Sequence, residues 1–173
     1  MTTPTTKPAE SHGQAEPQVA KLLFGVAERA QRAGVFGKVR VEAGALRCDA
    51  LASAEPAEYR LFVDGGKLWV ALVTAHRWLS QSIEADLVHT GDKMDELVEE
   101  ELIDLGWKKE WGPTRLGFEH FRDGQKLYTF RTVVPVDLGR ADAPEAIDKA
   151  ATALLAYEQA FRRLGDMEVD GED

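Results

Sequence analysis

A chain of 173 residues, 44% apolar and 29% charged, is long enough to bury a core without metal or disulfide support and has the composition of a globular protein. Its net charge of −9 argues against nucleic acid or an anionic membrane as partner, because the acids come in blocks. Asp92 to Asp104 holds seven against Lys93 alone, Asp166 to Asp173 holds five with no base, and the pairs Lys108-Lys109 and Arg162-Arg163 are too small to offset them.

The longest uninterrupted apolar run, Leu68 to Val73, is far short of a bilayer span. The lone Cys48 excludes an internal disulfide and fits a reducing compartment, so a cytoplasmic location is expected. Residues 1–16, rich in Thr, Pro, Ala and Ser, lack the basic and apolar regions of a secretory leader and read as a disordered tail. One α+β domain is expected over 17–165, followed by an acidic tail at 166–173.

Pro17 to Ala33 reads as an amphipathic helix with Val19, Leu22, Leu23, Val26, Ala27 and Ala30 in one stripe, Pro17 in its first turn and Gly34 at its end. Phe24 falls outside the stripe. Lys38 to Ala43 and Ala45 to Leu51 are β-prone segments around Gly44, either one bent strand or a small hairpin. Tyr59 to Val63 and Lys67 to Val73 flank Asp64-Gly65-Gly66, a turn signal for a hairpin. His76 to Val88 alternates Ser80 and Ser82 with Leu79, Gln81 and Ile83 and is predicted as a further long strand.

Asp92 to Leu105 is predicted as an acidic helix, capped by Asp92, buried along Met94, Leu97, Val98, Leu102 and Leu105, and stopped by Gly106, with Ile103 pointing outward. Gly117 to Phe121 and Lys126 to Val134 form a second hairpin across Asp123-Gly124. Asp142 to Leu164 is predicted as the last helix, with Asp142 and Glu145 as an acidic capping box. Glu158 falls inside its apolar stripe and reads either as a buried functional carboxylate or as the partner of Arg162 one turn later. The sum is an antiparallel sheet of five or six strands with three helices, in the order α-β(3-4)-α-β-β-α.

Neither G-x-G-x-x-G nor G-x-x-x-x-G-K-[ST] nor G-x-S-x-G occurs, and the four histidines are scattered, so no nucleotide site, serine-hydrolase elbow, metal centre or other cofactor is expected. Glu119, His120 and Asp123 crowd one hairpin, but strand alternation separates the first two and the turn accounts for the third. The polar run Ser80, Gln81, Ser82 and Glu84 suits either a ligand cleft or a solvent face. More informative is Leu68 to Val73, apolar in both alternate sets, so that both faces of this strand need cover. Phe62, Trp69, Trp78 and Phe130 are the candidate residues of an aromatic sheet face, and Trp107 and Trp111 are candidate anchors for a protein partner or a second copy.

The order of elements, the acidic character and the passage from Tyr59 to Leu105 with its closing hairpin resemble the type III secretion chaperone-like superfamily, particularly its YbjN-like branch, over Pro17 to Leu164. The resemblance implies a small cytoplasmic α+β protein, often dimeric, that holds extended partner segments against apolar patches without catalysing a reaction, with Phe62, Trp69 and Phe130 as patch residues. The long strand at His76 to Val88 exceeds the three strands expected between the first two helices of that superfamily. The leading expectation is therefore a non-enzymatic, chaperone-like or regulatory protein-binding domain. The alternative is a small-molecule sensor or enzyme with a cleft lined by Ser80 to Glu84.

Overall fold

The computed structural model describes residues 17–167. The helix α1 (Pro17–Ala33) leads into four strands, β1 (Phe36–Glu42), β2 (Ala45–Ala50), β3 (Glu58–Asp64) and β4 (Lys67–Thr74). Two helices follow, α2 (Arg77–Thr90) and α3 (Met94–Asp104), then β5 (Glu119–Arg122), β6 (Tyr128–Val134) and α4 (Pro144–Phe161). The strands form one antiparallel sheet in the order β1-β2-β3-β4-β6-β5. The fold class is the expected α+β, with six strands and, among the described residues, four α-helices where three were expected. The tail expected at 1–16 lies outside the described residues, and so does the acidic tail beyond Met167.

Turn chemistry sets the strand pairing. Ala43-Gly44 and Gly65-Gly66 each place two successive residues at positive φ, the requirement of the tight turn whose twist matches a hairpin. The segment 38–51 is accordingly a hairpin, β1 with β2, and not a bent strand. Asp123 closes the third hairpin by accepting the N–H groups of Gln125 and Leu127 on its carboxylate.

Four expectations are corrected. His76 to Val88 is helix α2, because Leu79, Ile83 and Leu87 recur every fourth residue and face the core, while Gly91 in the left-handed region ends the helix by donating to the Leu87 carbonyl. The alternation of serines was incidental, and Gln81 sat exposed within its supposed apolar set. Neither Asp92 nor Asp142 caps a helix: α3 starts after Lys93, and α4 after Ala143 with Pro144 in its first turn. Finally, the domain does not stop at 165. A 3₁₀ turn (Gly165–Met167) buries Met167, and the Asp166 carbonyl accepts the Ala54 N–H at 2.9 Å.

All four helices pack on one face of the sheet. Leu46, Cys48, Tyr59, Leu61, Leu68, Val70, Leu72 and Phe130 meet Leu22, Leu23, Val26, Leu79, Ile83, Val98, Leu102, Leu154 and Phe161 in one core. The alternate residues of the same strands turn to the other face, on which no helix of the described residues lies. No helix of the described residues is long and apolar enough to cross a membrane.

Candidate functional site

The helix-free face is built by register. One row of paired residues crosses all six strands as Arg40, Arg47, Arg60, Ala71, Arg131 and Glu119. Adjacent rows carry Ala45, Phe62, Trp69 and Val133 on one side and Asp49, Glu58, Val73, Thr129 and Phe121 on the other. Like charges directly opposite would repel, and carboxylates placed between them remove the conflict.

Glu58 is the hub. Its carboxylate accepts from Arg40 Nη2 at 2.5 Å, Arg47 Nε at 2.9 Å and Nη2 at 3.1 Å, and Arg60 Nε at 2.9 Å. Burial works against this carboxylate, but the hydrogen bonds and charges of Arg47 and Arg60 outweigh it and bring the acid down from 4.5 to about 2. Across Ala71, Arg131 is held by Glu119 at 3.0 Å and Asp64 at 3.0 Å, with its guanidinium 3.6 Å above the centre of the Trp69 ring and 4.9 Å from that of Phe121.

The second side of β4 is thus covered from within the sheet. Trp69, Ala71 and Val73 are buried although no helix of the described residues lies over them. On this face a hollow of about 420 Å³ is lined by Phe62, Val73, Phe121 and Thr129 together with Arg60, Arg131, Asp64 and Asp123. Phe62 and Phe121 are half-buried there. Among the described residues the Nη groups of Arg60 donate to no protein acceptor, its one side-chain bond running from Nε to Glu58.

The six candidate residues do not come together. Phe62 and Trp69 share the helix-free face, paired across β3 and β4, but Trp69 lies beneath Arg131. Phe130 faces the opposite side, in the core against Phe161 and stacked on His120, which corrects its assignment to the patch. Trp107 and Trp111 pack edge to face at 5.2 Å, and both indole N–H groups are used, one on the Gly112 carbonyl and one on Glu145. They tie the exit of α3 to the first turn of α4 and are not surface anchors. Trp78 is exposed on α2, away from the sheet rows.

Other chemistry-bearing groups are engaged. His120 turns Nε2 to Glu84 and Nδ1 to the Thr129 carbonyl, 3.0 Å away, so its carboxylate partner comes from α2 and not from Glu119 or Asp123. Of the residues expected to line a cleft, Ser80 is buried, Gln81 is exposed, Ser82 accepts the Asp166 N–H and Glu84 faces His120. Glu158 is both buried and paired, with Arg162 at 2.5 Å. Burial pushes the Cys48 thiol up to about 12, which makes it a poor nucleophile. No group of three or more potential metal ligands occurs among the described residues.

Sequence reasoning found the two-sided strand and Phe62 but missed the arginine row and Phe121. The signal was present in Arg40, Arg47 and Arg60, each at an outward strand position, but reading it requires the register of six strands. Comparison of the chain with models of known families, with curated proteins and with solved structures gives no match.

Proposed function

We propose that the protein is a non-enzymatic binding protein that takes an extended protein segment on the helix-free face of its sheet. The observation that carries this reading is the hollow lined by Phe62, Val73 and Phe121, with Arg60 and Arg131 as its basic groups and Asp64 and Asp123 as its acidic ones. Such a surface suits a segment that sets an acidic side chain toward the unengaged Nη groups of Arg60 and lays apolar side chains on either side of it. Alternation along an extended chain supplies that pattern.

The resemblance to the type III secretion chaperone-like superfamily points the same way, since its members hold extended segments on apolar patches. The extra strand between the first two helices is no longer at His76 to Val88 but in the β1-β2 hairpin. A cytoplasmic location and the absence of catalysis belong to the same reading.

The test is selection of twelve-residue peptides from a random library against the full chain. Sequences that alternate acidic and apolar positions are expected, and Arg60→Glu should weaken their binding at least tenfold in protein that circular dichroism shows to be folded, with a lowered melting temperature because the substitution also removes the Arg60–Glu58 bond. Selection without acidic enrichment, or binding indifferent to Arg60→Glu, would overturn the reading. A second copy of the chain is the competing occupant; a dimer in sedimentation that Phe62→Glu dissolves would put self-association in place of segment capture.

A further inference from the structure

On the helix side, a recess of about 310 Å³ opens where the end of α4 passes the α1-β1 turn and the loop after β2. Val35, Ala50 and Met167 give it apolar walls, and Leu51, 66% exposed, stands at its mouth with Ala52. Tyr59, Glu158 and Arg162 supply its polar groups. Gly34, at φ +70°, adds to the rim, and nothing lies within 4 Å of where a β-carbon would stand.

Two of the polar groups satisfy one another. Glu158, 8% exposed, accepts from Arg162 Nη2 at 2.5 Å and Nε at 3.2 Å, so the pair presents no net charge. Tyr59 differs. Its side chain is 1% exposed, and among the described residues its hydroxyl has no hydrogen-bond partner. The other fully buried tyrosine, Tyr157, has one: its hydroxyl lies 2.7 Å from Thr132 Oγ1. Buried polar groups are rarely left without a partner, and an orphan in a cavity wall marks where a solvent or ligand atom completes the bond.

Burial, reinforced by the Glu158 charge, keeps the Tyr59 phenol protonated, so the recess offers a neutral donor and acceptor. A charged ligand would meet either Glu158 or Arg162 as a like charge, and its desolvation would go uncompensated. The volume equals about ten water molecules at roughly 30 Å³ each, the scale of a single substituted ring.

We propose that this recess is a binding site for a small uncharged molecule with an apolar body and a hydroxyl or carbonyl oxygen, which completes the hydrogen bond that Tyr59 lacks within the protein. The site lies behind the sheet from the Arg60 face, because Tyr59 alternates with Glu58 and Arg60 along β3. It stands or falls independently of segment binding there.

The experiment titrates the full chain with p-cresol, with toluene as the same body without a hydroxyl, and with p-hydroxybenzoate as a charged counterpart. The readout is the methyl resonances of Met167 and Ala50. Saturable shifts are expected for p-cresol at both methyls, with binding about tenfold tighter than toluene and tighter than p-hydroxybenzoate. Tyr59→Phe should bring the ratio of p-cresol to toluene affinity close to one. Ala52→Trp, a plug on an exposed loop position, should abolish the shifts while leaving the melting temperature in place, and it carries the test if the tyrosine variant folds poorly. No saturable shift at these methyls, shifts that survive Ala52→Trp, or an affinity ratio indifferent to Tyr59→Phe would overturn the proposal.

Discussion

The two faces of β4 are equally dark to solvent and are kept so by different means. Leu68, Val70 and Leu72 lie against helices, whereas Trp69, Ala71 and Val73, 7%, 0% and 5% exposed, lie against side chains rooted in the same sheet. An apolar strand with both faces buried therefore does not require a layer of helices on each. Arginine can form the second layer, because its aliphatic stem and flat guanidinium cover apolar surface while its edge stays hydrogen-bonded to carboxylates. A covering of this kind is held by ion pairs at the surface, so it should be weaker and more readily displaced than the helical one.

The difference is measurable by paired truncation. Leu72→Ala on the helix side should cost about 2–5 kcal/mol in urea unfolding, the range for a buried leucine whose cavity cannot fully collapse. Arg131→Ala on the open side should cost about 1 kcal/mol, since it removes two cation–π contacts and two partly screened ion pairs. It should also shift tryptophan emission to the red as Trp69 meets water. Equal costs would mean that the two coverings are energetically alike and that the open face is a true second core.

Acid sharpens the comparison, because the open face depends on a titrating hub, Glu58. The Glu58 acid is lower in the folded protein, about 2 against an ordinary 4.5. The unfolded chain therefore binds the proton more readily, and the stabilisation from Glu58 is complete above pH about 4.5 and lost as pH falls toward about 2. With allowance for solvent screening it amounts to about 2 kcal/mol. Subtracting the stability curve of Glu58→Gln from that of the wild type isolates this contribution from the other carboxylates. A difference that stays flat between pH 5 and 2 would show that the three arginines do not hold the acid down.

The elements that depend on local signals were legible before the fold was seen. α1 was read with its observed ends, Pro17–Ala33, from one apolar stripe and its flanking Pro and Gly. The Gly65-Gly66 turn and the need to cover both sides of Leu68 to Val73 were read from the same kind of local pattern. α2 was misread because a run of thirteen residues satisfied a period of two on serines, while the decisive spacing was the fourfold one of Leu79, Ile83 and Leu87 with a glycine stop. The sites were less legible still. The arginine row exists only once five strand registers are known, and Tyr59 meets Glu158 only after the last helix has returned across the sheet.

The helix side imposes its own rule, that a polar group inside it must be bonded, and its two buried tyrosines give the smallest and most discriminating test. Tyr157→Phe removes the contact with Thr132, whose Oγ1 keeps its bond to the Gly117 carbonyl, and should cost about 1 kcal/mol. Tyr59→Phe removes a hydroxyl that has no partner among the described residues, so in ligand-free protein it should be neutral or raise stability by up to about 1 kcal/mol. Opposite signs in two substitutions of the same chemistry, measured by thermal and urea unfolding, would show that the Tyr59 hydroxyl, unlike that of Tyr157, is left unmatched. If Tyr59→Phe is as costly as Tyr157→Phe, an ordered water already completes the bond at Tyr59, and a ligand there must displace it before it gains any affinity from the hydroxyl.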